Sequence, residues 1–182
     1  MRTPSLALVS VFLAGLLSGA ASAQTTHEVT TVGTTFSPAD VTILEGDTVL
    51  WTPLQPAGHT VTETDCPATP ASVYNGGFRS GFPNEVSTFS LTFETAETFC
   101  YICETHVGLS MFGTVTVCFA PDTVCDGVIN ILDVQRVLNA FGRSDGEAGY
   151  DPALDLVADG TINILDVQSV LNHFGEKAPF EN

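Results

Sequence analysis

Positive charge is scarce in this chain: 182 residues carry 5 Lys and Arg against 21 Asp and Glu, for a formal net charge of -16. So acidic a surface repels nucleic acid and anionic lipid, and both drop out as partners. It suits a basic protein or divalent cations, and many of the carboxylates serve solubility alone. Long apolar runs are also lacking. Only Leu6 to Leu17 is continuous enough to consider, and it falls short of the roughly 20 residues that a spanning helix needs. With Arg2 before it and Ala21-Ser22-Ala23 after it, the run has the charge order and small-residue end of a secretory leader over residues 1–23. The mature chain is expected to begin at Gln24, exported and with no transmembrane segment. No cysteine follows that point directly, so no lipid anchor is expected there.

Cysteine is present in an odd number: 66, 100, 103, 118 and 125. In an exported chain this suggests disulfides plus one thiol with another use. From Thr25 to Cys118, runs rich in Val, Thr and Phe recur at Glu28–Val32, Val41–Leu44, Thr48–Trp51, Thr60–Thr64, Thr88–Phe93, Thr98–Cys103 and Thr114–Val117. Turn residues such as Glu45-Gly46-Asp47 separate them. Many short strands at close spacing predict a mainly β, antiparallel sandwich or barrel over residues 24–118.

Within that half, Cys103, His106 and Met111 form C-x2-H-x4-M in a loop between two predicted strands. Thiolate, imidazole and a weak thioether together select copper over zinc or calcium. A second imidazole is required, and His59, at the mouth of another strand, fits better than His27 near the mature N-terminus or His173 in the C-terminal half. Cys100 is close in sequence, but residues three apart on a strand point to opposite faces, so it faces away from Cys103. The C-x2-C-x2-H spacing also departs from the C-x3-C-x3-H of binuclear copper sites. Pairing Cys66 with Cys100 and Cys118 with Cys125 leaves Cys103 as the free thiolate, although sequence alone leaves the connectivity open.

These segments resemble the cupredoxins of the plastocyanin and pseudoazurin kind: FSPADVTILEGDTVLW (Phe36–Trp51) the opening strands, GHTV (Gly58–Val61) the first histidine, and YICETHVGLSMFGTVTV (Tyr101–Val117) the ligand loop. The resemblance implies an eight-stranded Greek-key sandwich with a blue type 1 copper site and one-electron transfer. It also implies a redox protein partner docking near the edge of His106, where Val107, Gly108, Leu109 and Phe112 offer an apolar ring. Thr105 stands where the family usually has proline; it removes no ligand and is expected to loosen the loop. No acid–base pair is in view, and the protein is not expected to be an enzyme. An extracellular copper carrier or a non-redox surface protein is the alternative.

After Ala120-Pro121 the period changes. Asp122–Gly142 and Asp155–Gly175 are identical at 16 of 21 positions, 33 residues apart. This is a duplication. Ile131, Val134, Leu138 and Phe141, and their counterparts Ile164, Val167, Leu171 and Phe174, fall at helical spacing, with Gly142 and Gly175 as caps. Each copy also fits a calcium loop: Asp122, Asp126 and Asp133 at positions 1, 5 and 12, the Val128 carbonyl at 7 and Asn130 at 9; then Asp155, Asp159 and Asp166 with Thr161 and Asn163. Both copies have valine, Val124 and Val157, at position 3, which removes one oxygen ligand. Residues 119–182 thus resemble a dockerin, a small α-helical domain of two EF-hand-like loop–helix repeats, which implies calcium and a cohesin-like receptor. Leu138 and Leu171 with Val137 and Val170 are the expected contacts, the alternative being that they form the core within the domain. The competing reading is that these aspartates only cap helices.

Overall fold

The computed structural model describes residues 24–56 and 58–178; the leader predicted over residues 1–23 lies outside the described residues. Alternation builds the first half. In β4 (Thr48–Thr52) Val49 and Trp51 are buried while Thr48, Leu50 and Thr52 are only partly so, the period of two that a half-buried strand demands. β1 (Thr26–Val32), β2 (Thr35–Ser37) and β6 (Phe89–Thr92) join β4 in a sheet of order β2-β1-β4-β6. β3 (Asp40–Leu44), β5 (Thr62–Thr64), β7 (Thr98–Ile102) and β8 (Phe112–Cys118) form the facing sheet, β3-β8-β7-β5. β1 runs parallel to β4 and β3 parallel to β8, so the sheets are mixed rather than antiparallel throughout. The chain crosses between the sheets after β2, β3, β4, β5 and β6, which brings strands of the same direction together.

Trp51, Val29 and Val49 from one sheet meet Ile43, Tyr101, Val115 and Val117 from the other in a single core that also holds Cys103 and Met111. Each large apolar side chain so buried contributes roughly 1.5–3 kcal/mol. Where β7 pairs with β8, Tyr101 lies opposite Gly113. A Cβ on Gly113 would strike the Ala39 carbonyl and the Tyr101 ring, and Tyr101 donates its hydroxyl to that carbonyl at 3.0 Å. The pairing closes at Ile102 opposite Phe112, one residue short of Cys103 and one past Met111.

Two strand expectations need correction. β2 lies outside every predicted run, because three residues are too short to display alternation. β5 begins at Thr62 rather than Thr60, because the preceding amides are spent elsewhere: His59 N on Leu54 O (2.9 Å), Thr60 N on Cys103 Sγ (3.4 Å) and Val61 N on Ser80 Oγ (2.9 Å).

The second half folds around its own cluster of Ile129, Val134, Val137, Ala140, Leu154, Ile162, Val167 and Val170. Its helices are α1 (Ile131–Asn139) and α2 (Ile164–Asn172), each started by a reciprocal pair. Asn130 Oδ1 accepts from Leu132 N (2.9 Å) while Asp133 accepts from Asn130 N (2.8 Å), and Asn163 and Asp166 repeat this at 2.8 and 2.7 Å. Of the stripe expected from periodicity only Val134 and Val167 are buried, joined there by Val137 and Val170; Ile131, Leu138, Phe141, Ile164, Leu171 and Phe174 lie about half exposed or more. Val137 and Val170 are fully buried, which removes them as contact residues for a partner. Both faces of these nine-residue helices carry apolar side chains, so spacing alone did not separate them.

After each helix the chain pairs with the loop of the other repeat. Gly142 N bonds Ile162 O (2.7 Å) and Ile162 N bonds Arg143 O (2.8 Å); Gly175 N bonds Ile129 O (2.8 Å) and Ile129 N bonds Glu176 O (3.0 Å). Neither repeat closes alone. No helix among the described residues is long and apolar enough to cross a membrane.

Candidate metal centre

The four residues expected to hold metal gather at one end of the first core. Three come from the β7–β8 connection. Cys103 N donates to Met111 O at 2.9 Å, carrying the ladder one step past the strands and seating both sulfur side chains in the core, each 0% exposed. Between them, His106 N returns to Cys103 O (3.0 Å), and a 3₁₀ turn at Val107–Leu109 follows. His59 enters from the β4–β5 connection, 4% exposed, with its amide held by Leu54 O.

Cys103 is the free cysteine and is buried; Cys66 bonds Cys100 and Cys118 bonds Cys125. Its Sγ lies 3.3 Å from His106 Nδ1 and 3.7 Å from His59 Nδ1. The ligand atoms of the three residues all fall within 4.8 Å of one another, and the imidazole centroids are 4.9 Å apart. Burial, and then the charge of His106, push His59 below the usual histidine range, which favours the neutral ring that a metal requires. One thiol, two imidazoles and a buried thioether nearby form a donor set that fits copper.

The surroundings hold this geometry. Thr60 N–H donates to Cys103 Sγ, and the Thr60 hydroxyl accepts Glu104 N (2.9 Å). Arg79 grips Glu104 with two bonds of 2.7 Å, and Thr62 adds a third at 2.6 Å. The Arg79 guanidinium also sits over Phe82 (4.5 Å) and Tyr74 (5.5 Å). Burial works to raise the Glu104 carboxyl, but the bonds from Arg79 and Thr62 outweigh it and hold the group below the ordinary range. Thr105 does not loosen the loop. Its hydroxyl lies 2.8 Å from Gly58 O and ties the ligand loop to the His59 loop. Around His106, Leu109 is 65% exposed, Gly108 is exposed, and Val107 and Phe112 are half-buried. No sequence motif gives Thr60, Thr62 or Arg79 a role; the scarcity of cations is the one available signal for Arg79.

The aspartates of the duplicated loops behave differently. Among the described residues, only His59, Cys103 and His106 bring three such ligand atoms so close. Asp122 accepts from Asp126 N (3.1 Å) and Gly127 N (2.8 Å), and Asp155 does the same with Asp159 N and Gly160 N. Asn130 Nδ2 bonds Asp126 (3.3 Å) and the Val128 carbonyl (2.8 Å); Asn163 Nδ2 bonds Asp159 (2.8 Å) and the Thr161 carbonyl (2.9 Å). Burial first, and then the nearby charges of Asp133 and Asp126, raise Asp122.

Fold and donor set together define a cupredoxin-type copper protein. Residues 23–118 match the family model of copper binding proteins of the plastocyanin/azurin family, and the chain belongs to that family. It is 35% identical over 85 residues to the plastocyanin of Scenedesmus fuscus, across 45% of this chain and 85% of that protein. Among solved structures it is similar to a purple cupredoxin from Nitrosopumilus maritimus (24% identity, 50% of this chain and 97% of that one, TM-score 0.40). It is also similar to the pseudoazurin of Methylobacterium extorquens AM1 (21% identity, 50% and 74%, TM-score 0.39).

Proposed function

We propose that the protein is an exported one-electron carrier whose metal is a type 1 copper held by His59, Cys103, His106 and Met111. The observation that carries this is the buried free thiol with two imidazole Nδ1 atoms within 3.7 Å of it. Copper bound there supplies a Cu(II)/Cu(I) couple. The chain keeps the donors in one arrangement for both states, excludes water from the thiolate, and offers the half-buried His106 with exposed Leu109 beside it to a redox partner. No catalysis is required of it. Copper-loaded protein is expected to show an intense thiolate-to-copper charge-transfer band with matching EPR, both absent in Cys103→Ser. A spectrum indifferent to that substitution overturns the site. Repeated reduction and reoxidation without loss of metal separates a carrier of electrons from a carrier of copper.

For the second half we infer a dockerin-like calcium module that tethers the copper domain to a cohesin-like receptor at or outside the cell envelope. What supports it is the repetition of one loop conformation, with Gly127 and Gly160 both at positive φ and Asp122 and Asp155 both buried. Two backbone bonds leave lone pairs free on Asp122, and Asp155 keeps one after its two backbone bonds and the bond from the Tyr150 hydroxyl (2.7 Å). Apolar Ile131, Leu132, Leu138 and Phe141 and their α2 counterparts remain exposed for a receptor. Calorimetry on the full chain is expected to show weak calcium binding, since Val124 and Val157 supply no side-chain oxygen. Absence of heat at millimolar calcium leaves Asp133 and Asp166 as helix caps and Asp122 and Asp155 as acceptors for loop amides only.

A further inference from the structure

Thr105 touches more of the copper site than a loop residue needs to. Its Oγ1 is 3.2 Å from Cys103 Sγ, 2.8 Å from Gly58 O and 3.4 Å from His106 Nδ1. A threonine hydroxyl has one proton to give and two lone pairs. The hydroxyl proton is given to Gly58 O, so in the thiol form the S–H has to supply the proton of the contact between Sγ and Oγ1. Metal binding needs the thiolate, and then no proton is left between sulfur and oxygen. An oxygen lone pair would face a negative sulfur. Turning the hydroxyl removes that repulsion and gives up its bond to the Gly58 carbonyl, an exchange that favours the sulfur because a hydrogen bond to a charged acceptor is roughly twice as strong as one to a neutral carbonyl.

We propose that the Thr105 hydroxyl is a second hydrogen-bond donor to the Cys103 thiolate, beside the Thr60 N–H, and that it holds the reduction potential of the site up. This rests on the copper reading above. A donor to sulfur withdraws electron density from it, which weakens its bond to Cu(II) more than to Cu(I) and so favours the reduced state. Thr105 acts through Cys103 and is a positioning residue rather than a ligand.

The test compares copper-loaded wild type with Thr105→Val, Thr105→Ala and Thr105→Ser, by redox titration and by the energy of the charge-transfer band. Val and Ala are expected to lower the potential and move the band to lower energy, while Ser stays at the wild-type values. The shift of the copper–sulfur stretch in heavy water should shrink in Val and Ala alone. Potentials and bands equal in all four proteins overturn the proposal. So does a Ser variant that moves as far as Val, because the shape of the side chain and not its hydroxyl would then matter. A wild type that takes up copper without the band overturns the copper reading itself, and the inference with it.

Discussion

Glu104 follows the free thiol directly, and one of the five cations of the chain is committed to it. The two bonds from Arg79 and the one from Thr62 make Glu104 the peg between the ligand loop, β5 and the segment that carries Phe82. Because its folded pKa lies below the ordinary range, its stabilisation is fully present above that range and is lost as the pH falls through the folded value. Arg79 stays charged throughout. Glu104→Gln is therefore expected to melt below wild type near neutral pH, with the gap closing below about pH 4. Melting temperatures of the metal-free proteins across that span check this; a gap of constant size would mean that the ion pair is not its source. The ligands themselves were legible because three of them fall within nine residues in one spacing. Their supports were not. Arg79 and Thr62 reach Glu104 across 25 and 42 residues, and Thr60 reaches Cys103 across 43, separations that only the folded sandwich brings together.

At the scale of elements, what could be read depended on length and on which face was buried. β4 and β8 are long enough to show alternation and stand near their expected bounds, while β2 offered three residues and no pattern. The helices were legible in place and number from the duplication, but their buried faces were misread. Their starts carry a measurable expectation. Asn130 and Asn163 each satisfy a helix amide and are bonded back by the third residue of their helix. Asn130→Ala or Asn163→Ala is expected to cost about 1 kcal/mol of the stability of the second core. Urea unfolding followed by far-UV circular dichroism measures it. The capping role and the calcium role diverge in one respect: if calcium binds, each substitution also weakens it, whereas caps alone leave the stability of both variants unmoved by added calcium.

The molecule as a whole joins two cores by very different means. The Cys118–Cys125 disulfide ties the end of β8 to the first aspartate loop, and Phe119 packs against the second core. Inside the second half, closure is exchanged: the segment after α1 pairs with loop two, and the segment after α2 pairs with loop one. The last clasp includes Ala178, 1% exposed, whose amide donates to Gly127 O at 2.9 Å. Removing everything after Phe174 deletes the bonds of Gly175, Glu176 and Ala178 to loop one and leaves the contacts of loop two in place. Each lost bond is worth about 1 kcal/mol, and Ile129 is uncovered as well. The truncated chain is expected to lose its helical signal at a clearly lower temperature than the full chain. The copper-site spectrum should persist through that transition, because none of its residues touches the clasp. Ala178→Asp, which buries a charge in the same place, should reproduce the effect without shortening the chain. Loss of the helices and of the copper band in one shared transition would show instead that the two cores unfold as one unit, with the Cys118–Cys125 junction transmitting the failure.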